Sequence, residues 1–234
     1  MKLSVIIPVY NEANTLKEII SRVKGVKLPN GVAREIVVVD DHSRDKSLEI
    51  LKKIGGIKLF THRVNKGKGA AVRLGMAKAT GEMLLIQDAD LEYSPKDYPR
   101  LIKPILDGKA DVVYGTRLRN YPIKLAGANH TPFFSHYLGN KLLTLTTNLL
   151  YGDGLTDMET CYKVFTKKVA KSIKLKAQRF EFEPEITAKI LKKGYKIYEI
   201  PIKVTPRGYD EGKKITWRDG FIAVWTLIKY RFMD

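Results

Sequence analysis

The chain contains 234 residues, of which 44% are hydrophobic and 29% charged, and its 42 Lys and Arg residues outnumber 25 Asp and Glu residues, giving a formal net charge of +17. This composition excludes a disordered, collagen-like or low-complexity protein. The single cysteine, Cys161, excludes an internal disulfide and a cysteine-based zinc site, so a reducing, cytoplasmic setting is expected.

The N-terminal half alternates between strand-like and helix-like patterns. Short runs rich in Val, Ile and Leu predict strands that are buried on both faces. These runs are Leu3–Val9, Glu35–Val39, Ile57–Phe60, Met83–Ile86 and Asp111–Tyr114. Amphipathic segments between them predict helices. These segments are Leu16–Val23, Ser47–Ile54, Ala70–Ala79 and Tyr98–Leu106.

After Thr116 the pattern changes. A polar stretch from Arg117 to Pro132 is long enough to suggest a functional loop. Further elements are predicted at His136–Leu150 (helix), Tyr162–Phe165 (strand), Pro184–Lys193 (helix), Tyr195–Val204 (strand) and Trp217–Phe232 (helix). The alternation predicts an α/β fold with a mostly parallel central sheet and helices on both faces, in which ligands bind at the carboxyl ends of strands.

A cluster of carboxylates directly follows one of the buried strands. In an extended segment, Asp88, Asp90 and Glu92 would point to the same side and repel one another. A hard divalent cation offsets such repulsion, and Mg²⁺ or Mn²⁺ binds carboxylates together with substrate phosphates. The competing interpretation is that these residues only cap a turn.

A second acidic pair, Asp40 and Asp41, follows the strand Glu35–Val39. Capping of the next helix by Ser43 or Asp45 accounts for part of this segment. A carboxylate of the pair would also accept hydrogen bonds from the edge of uracil or guanine.

Several ordered motifs resemble those of family 2 glycosyltransferases, which have the GT-A fold and use nucleotide sugars. They are Ser4-Val5-Ile6-Ile7-Pro8-Val9-Tyr10-Asn11-Glu12, Val37-Val38-Val39-Asp40-Asp41-His42-Ser43, Asn65-Lys66-Gly67-Lys68-Gly69-Ala70-Ala71 and Gln87-Asp88-Ala89-Asp90. The later segments 115–117, 155–163 and 180–185, with Arg207 and Lys213, are similar to the branch of dolichyl-phosphate mannosyl- and glucosyltransferases and their undecaprenyl-phosphate relatives. His42, where the family has Gly, and Met158 to Cys161 depart from the usual pattern.

The resemblance implies a set of site residues. The nucleoside pocket would be lined by Pro8, Tyr10, Glu12, Val39 and Asp41, with Lys68 also binding the nucleotide. The diphosphate and metal would meet Asp88, Ala89 and Asp90, and Glu92 stands where the mannosyl branch often has Gln as a third metal contact. Phosphate groups of donor or acceptor would be held by Arg117, Arg207 and Lys213.

The implied reaction is inverting transfer of a hexose from GDP-mannose or UDP-glucose to a polyprenyl phosphate. A divalent ion on Asp88 and Asp90, assisted by cations such as Arg117, stabilises the departing diphosphate. A phosphate acceptor is already anionic and needs no base. The alternative is a hydroxyl of a soluble sugar or glycerate acceptor, for which Asp157 is the best base candidate, although Asp157 also fits a turn or cap.

The C-terminal segment has an apolar stripe with basic neighbours. Trp217, Phe221, Val224, Trp225, Ile228 and Phe232 recur at helical spacing among Arg218, Lys229 and Arg231. Such a helix either lies in an anionic membrane interface or packs on the sheet or a second subunit. We divide the chain into a catalytic domain, 1–215, and this helix, 216–234, and expect a peripheral protein at the cytoplasmic face of the membrane.

Other functional classes fit the sequence less well. The basic charge is typical of nucleic-acid binding, but no zinc finger, RNP motif or helix-turn-helix is evident, so no nucleic-acid partner is expected. A nicotinamide-binding Rossmann enzyme would have a Gly-rich turn after the first strand, where Pro8 to Glu12 stand instead. A nucleotide-binding scaffold without catalysis would not need both Asp88 and Asp90. The apolar N-terminus shows no signal-peptide cleavage site, and no stretch reaches the roughly 20 apolar residues that span a bilayer.

Overall fold

A seven-stranded sheet organises the protein. The computed structural model describes residues 1–117, 134–205 and 217–233. Within them, strands β1 to β7 span Lys2–Val9, Ala33–Asp40, Lys58–Thr61, Met83–Ile86, Val112–Thr116, Lys163–Thr166 and Ile197–Pro201. The strand order is β3-β2-β1-β4-β6-β5-β7, and every pair is parallel except those that β6 forms with β4 and β5. The predicted mostly parallel α/β architecture is confirmed.

Helices connect the strands. Helices α1 to α8 span Leu16–Gly25, Ser47–Lys52, Lys68–Lys78, Tyr98–Leu106, Phe134–Tyr151, Lys167–Ser172, Phe182–Lys192 and Trp217–Phe232. The sequence patterns predicted all of them except α6, a short helix whose first turn is capped by the Thr166 hydroxyl accepting from the Val169 amide. The predicted last strand is shorter than expected, and Val204 forms only an isolated bridge with Tyr93.

The central strands are buried on both faces. In β1, the side chains of Leu3, Val5, Ile6 and Ile7 are all inaccessible to solvent, so apolar residues run continuously instead of alternating. Helices therefore cover both sides of the sheet.

A smaller core lies beside the main one. Leu143 of α5, Ala188 of α7 and Leu227 of α8 pack together there, so α8 is held against the described part of the catalytic region. The division at residue 215 stays a prediction, because residues 206–216 are outside the described ranges. Of the described helices, none combines the length and apolarity needed to cross a bilayer.

Candidate active site at the carboxyl edge of the sheet

The topology brings the predicted site residues to one edge of the sheet. The parallel strands β1, β2, β4 and β5 all end there. Tyr10, Asp41 and Arg117 directly follow β1, β2 and β5, and Asp88 follows β4 after one intervening residue. Because β6 is antiparallel, it begins at the edge where its neighbours end, and the segment before it, which includes Asp157, arrives there too. Arg207, Lys213 and the predicted loop after Arg117 lie outside the described residues.

Hydrogen bonds join the loop after β1 to the loop after β2. The Asn11 amide donates to the Ser43 hydroxyl at 3.0 Å and the Glu12 amide to the Ser47 hydroxyl at 2.9 Å. Asp45 accepts from the amides of Ala13 and Ser47, so it binds the first amide of α2, although the N-cap position itself is Lys46, whose side chain makes no cap hydrogen bond. In the strands that precede these loops, Pro8 of β1 and Val39 of β2 are register partners, and Val39 is fully buried.

Asp41 organises the loop that leads into α3. Its Oδ1 accepts from the Lys66 amide at 2.9 Å and lies 2.6 Å from His62 Nδ1, while its Oδ2 accepts from the Gly67 amide at 2.6 Å. The residue is 2% exposed. Both oxygens thus already have partners, and a contact from Asp41 to a nucleotide base stays a prediction.

The neighbouring Asp40 has spare acceptor capacity. Its Oδ2 accepts from the Ser43 amide, whereas its Oδ1 is buried without a hydrogen-bond partner among the described residues. Between Asp41 and Ser43, His42 has a φ of 61°, in the left-handed region that favours Gly. The Gly of the related motif therefore reflects backbone conformation at this turn.

The segment after β4 is a turn and not an extended strand, so the geometric premise for three converging carboxylates was wrong. Leu91 has a φ of 65°, and the Glu92 amide donates back to Asp90 Oδ1 at 3.1 Å. The turn breaks the alternation that would have aligned Asp88, Asp90 and Glu92. Among the described residues, no group of three or more His, Cys, Asp or Glu side chains is arranged to hold a metal.

The carboxylate of Asp88 already forms an ion pair with a lysine. Lys68, the first residue of α3, places its Nζ 2.9 Å from Asp88 Oδ2 and 3.0 Å from Glu183 Oε1. Burial alone would lower the pKa of Lys68, but the carboxylates of Asp88 and Glu183 outweigh it and raise that pKa above its ordinary value. Burial likewise would raise the pKa of Asp88, and Lys68 reverses the direction, so both groups stay ionised.

Lys163 continues this chain of charges into the interior. It is fully buried, pairs with Glu183 Oε2 at 2.5 Å, and donates to the backbone carbonyls of Met158 and Thr160. Sequence reasoning assigned no role to Lys163 or Glu183, although both lie in the motifs quoted above. The available signal was a lysine inside the otherwise apolar run 162–165, because an ionised side chain in a buried strand requires a partner.

Arg117 and Asp157 form a bidentate ion pair. The Arg117 Nε and Nη2 lie 2.7 Å from Asp157 Oδ2 and Oδ1, and the Arg117 amide also donates to Oδ2 at 2.8 Å. Glu199 holds the other side of this turn by accepting from the amides of Thr156 and Asp157. Burial would lower the pKa of Arg117, but Asp157 more than offsets this and raises it. Asp157 is fully buried and orients the guanidinium.

The carboxyl group of Glu159 lies near this pair and has a raised pKa. Burial, followed by repulsion from Glu183, raises the pKa of Glu159 to about 7, although Lys163 and Arg117 act in the opposite direction. Its Oε1 is buried without a hydrogen-bond partner in the described structure.

We therefore expect Glu159→Gln to become relatively more stable as the pH rises. A carboxyl whose pKa is raised by folding holds its proton more tightly in the folded state, so the wild type loses stability from about pH 4.5 up to about 7, the raised pKa. Thermal unfolding of both proteins in metal-free buffer should show a difference in Tm that grows from pH 5 to pH 8. A constant difference would contradict the burial of an ionisable Glu159.

The carboxylates at this edge fit a magnesium or manganese ion. Mg²⁺ is commonly held by only one or two carboxylates, with the rest of its shell supplied by water and substrate phosphates. Asp88 is partly exposed and already attracts the ammonium of Lys68, and Asp90 follows it within the same turn. Two carboxylates therefore meet that requirement without a preformed three-residue cluster.

Comparisons with known proteins identify the family to which the chain belongs. The model of the family "Glycosyl transferase family 2" matches residues 4–174. The dolichol-phosphate mannosyltransferase of Pyrococcus furiosus is 30% identical over 217 residues, covering 91% of this chain and 59% of that protein. A UDP-N-acetylglucosamine–dolichyl-phosphate N-acetylglucosaminyltransferase of Methanococcus voltae is 28% identical, covering 95% of this chain and 93% of the relative.

Solved structures show the same fold at low identity. Glucosyl-3-phosphoglycerate synthase of Mycobacterium tuberculosis in complex with UDP superposes with a TM-score of 0.76 at 17% identity, covering 100% of this chain and 81% of the synthase chain. The synthase with Mn²⁺, UDP and phosphoglyceric acid gives a TM-score of 0.73 at 18% identity, covering 100% and 79%. The expected GT-A fold is confirmed by this likeness. With a family match over most of its length, the chain belongs to glycosyl transferase family 2 and is a glycosyltransferase.

Proposed function

We propose that the chain is an inverting, metal-dependent hexosyltransferase that uses GDP-mannose or UDP-glucose as donor and a polyprenyl phosphate, such as dolichyl phosphate, as acceptor. The observation that carries the choice of acceptor is the Arg117–Asp157 pair, which offers a cation and not a free carboxylate. The names of the archaeal relatives, which include dolichyl-phosphate transferases, support the same choice.

The proposed donor site lies around Asp88 and Asp90. A bound Mg²⁺ or Mn²⁺ would act as a Lewis acid toward the leaving diphosphate. The Mn²⁺ and UDP bound by the synthase support this proposal. The remaining donor contacts are proposed for Pro8, Tyr10, Glu12, Val39, Asp41, Lys68, Ala89 and Glu92.

The proposed acceptor site uses Arg117. Asp157 engages the guanidinium along one side, and the remaining N–H groups are suited to a phosphate oxygen. A phosphate monoester is anionic near neutral pH, so attack on the sugar requires no proton removal. Cations need only position the nucleophile, and Arg207 and Lys213 are proposed to assist.

Transfer to a hydroxyl group is the second candidate. The phosphoglycerate acceptor of the structurally similar synthase favours it. In that reaction Asp157 would have to accept a proton, yet both of its oxygens bind Arg117 and its side chain is fully buried. Breaking a buried bidentate pair before each proton transfer is costly, which is why we rank this candidate second.

A transfer assay with two kinds of acceptor tests the proposal. The protein is incubated with Mg²⁺ or Mn²⁺, radiolabelled GDP-mannose, UDP-glucose or UDP-N-acetylglucosamine, and either dolichyl phosphate in detergent or 3-phosphoglycerate. We expect label to enter an organic-soluble, acid-labile product with one of the first two donors. Label in a water-soluble product, with none in the lipid, would favour the hydroxyl candidate.

Two neighbouring helices leave apolar rows exposed, and we call these rows the α5/α8 apolar rows. They consist of Leu138, Leu142, Leu145 and Leu149 on α5 and Phe221, Trp225, Ile228 and Phe232 on α8. The α8 row is most of the stripe seen in the sequence, and it does not pack on the sheet. Helix α8 buries its other side, Ala223, Leu227 and Tyr230, in the smaller core.

We propose that the α5/α8 apolar rows contact an anionic membrane at the cytoplasmic face, where a lipid-linked acceptor would be presented. Trp225 is 65% exposed and Phe232 78%, which is costly in water for large apolar side chains. The exposed cations Lys229 and Arg231 stand beside them on α8, and basic groups near anionic lipid contribute about 1 kcal/mol each.

We predict that a Phe221→Ser, Trp225→Ser double variant will bind phosphatidylserine-containing vesicles at least about tenfold more weakly than the wild type. Vesicle sedimentation measures the effect. The matched control is Val64→Ser, Tyr198→Ser, which removes exposed apolar side chains of 58% and 51% exposure away from α5 and α8 and should leave binding unchanged. Equal binding by wild type and the α8 variant, with loss of a dimer in light scattering, would assign the rows to a second subunit.

A further inference from the structure

A chain of alternating charges ends at the proposed metal-binding carboxylate. It runs from Asp88 through Lys68 and Glu183 to Lys163, with ion-pair distances of 2.9, 3.0 and 2.5 Å. None of these four side chains is more than 20% exposed. Two carboxylates face two ammonium groups, so this set is electrically balanced before any ion or nucleotide binds.

This balance has a consequence for a divalent ion. Lys68 already supplies a positive charge to Asp88 through its contact with Oδ2, so an ion that binds Asp88 is repelled by that ammonium and favours its displacement. The displaced Lys68 would then share Glu183 with Lys163, and two buried cations would lie beside the new ion. Even with the charge of Asp90 counted, the group would carry excess positive charge, which is costly at low solvent exposure.

The donor diphosphate supplies the missing negative charge. We propose that Lys68 is a positioning residue that exchanges Asp88 for the donor diphosphate, and that this exchange makes metal binding depend on the nucleotide. The inference rests on the metal-dependent donor site proposed above and does not depend on the acceptor. Through linkage, the metal and the nucleotide then strengthen each other's binding by the same factor.

The local backbone suits an exchange that moves only the side chain. The start of α3 is fixed against the segment before α7, because the Gly69 amide donates to the Arg179 carbonyl at 3.2 Å and the Ala70 amide to the Gln178 carbonyl at 3.0 Å. Gly67 has a φ of 91°, and a Cβ there would clash with the Gln178 carbonyl oxygen. Glu183 retains the ammonium of Lys68 while Asp88 is released.

Binding of Mn²⁺ to the full chain, measured by electron paramagnetic resonance, tests this exchange without any turnover. Each protein is titrated with Mn²⁺ alone, and then with Mn²⁺ in the presence of GDP or UDP. For Lys68→Met we expect Mn²⁺ alone to bind at least about tenfold more tightly than to the wild type, since the competing cation is gone. The enhancement of Mn²⁺ affinity by nucleotide should be smaller in this variant by a similar factor.

Two further variants separate charge from other effects. Lys68→Arg keeps a cation and should bind Mn²⁺ alone as weakly as the wild type, within about threefold. Lys66→Met removes an exposed lysine two positions earlier and should change neither measurement by more than about threefold. Circular dichroism confirms that each variant is folded. If Lys68→Met does not fold, Lys68→Arg with Mn²⁺ binding tenfold tighter than wild type would still overturn the inference.

Different results would contradict the Lys68 exchange and the proposed donor site. Unchanged affinity of Lys68→Met for Mn²⁺ alone would overturn the exchange while leaving the donor site in place. A wild type that binds Mn²⁺ with neither GDP nor UDP would contradict the metal-dependent donor site. Lipid transfer in the assay above bears only on the acceptor.

Discussion

Replacing Asp90 with asparagine is expected to reduce the rate of sugar transfer about a thousandfold or more while leaving the protein folded. The variant removes one negative oxygen ligand from the proposed metal site. Asparagine keeps the oxygen that accepts the Glu92 amide at 3.1 Å, so the turn itself is retained. The measurement is the initial rate of lipid-linked product formation with saturating donor and Mn²⁺, together with Tm.

Asp90 is a cleaner test than Asp88, because Asp88→Asn also breaks the ion pair with Lys68. The matched control is Asp107→Asn, which removes an exposed carboxylate that pairs with two surface lysines and should retain full activity. Chelation with EDTA should abolish the activity of the wild type, and added Mn²⁺ should restore it. Transfer by Asp90→Asn within tenfold of the wild type would show that this carboxylate does not hold the metal.

Replacing Lys163 with methionine is expected to lower the free energy of unfolding by about 3 kcal/mol or more, because removing one partner of a buried pair leaves the other charge poorly compensated. In a protein of this size such a loss lowers Tm by roughly 10 °C. Glu183 would keep only Lys68, and the carbonyls of Met158 and Thr160 would lose their donor. Calorimetry or denaturant unfolding in metal-free buffer gives the result.

The control for Lys163 is Lys103→Met on α4. Lys103 pairs with Asp107 at 2.9 Å, but its side chain is 69% exposed, so the loss should not exceed about 0.5 kcal/mol. Similar stability losses in the two variants would mean that the interior pair does not contribute more than an ordinary surface pair.

The fold could be read from the sequence because the strong patterns are local. The residues Tyr98–Leu106 and Trp217–Phe232 have uninterrupted helical periodicity, and the structure gives both helices the predicted bounds. Helix α6 was missed because six residues with one buried apolar side chain, Val169, carry almost no periodicity. The direction of β6 was also not predicted, since a short buried strand has the same sequence pattern whether it runs parallel or antiparallel.

The site was predictable where residues follow parallel strands. Asp88 and Asp90 were placed at the correct edge of the sheet by that rule, and Arg117 by the family resemblance. The partners of these residues were not predicted, because Lys68, Glu183 and Lys163 come from distant parts of the chain and meet only in the folded protein. The positive φ of Leu91 also places the acidic segment in a turn, whereas the sequence predicted an extended segment.

Because β6 runs antiparallel to β5, the segment between these two strands leaves and re-enters the sheet at the same edge. The Gly115 amide donates to the Tyr162 carbonyl at 2.8 Å, so the sheet is left after β5 and re-entered before β6 at adjacent points. A segment whose two ends are already neighbours can change in length and sequence at small entropic cost, without disturbing the strands that carry the donor carboxylates. Chimaeras that exchange residues 118–156 between family members, with Arg117 and Asp157 kept, should therefore retain the seven-stranded sheet and the donor carboxylates at its edge.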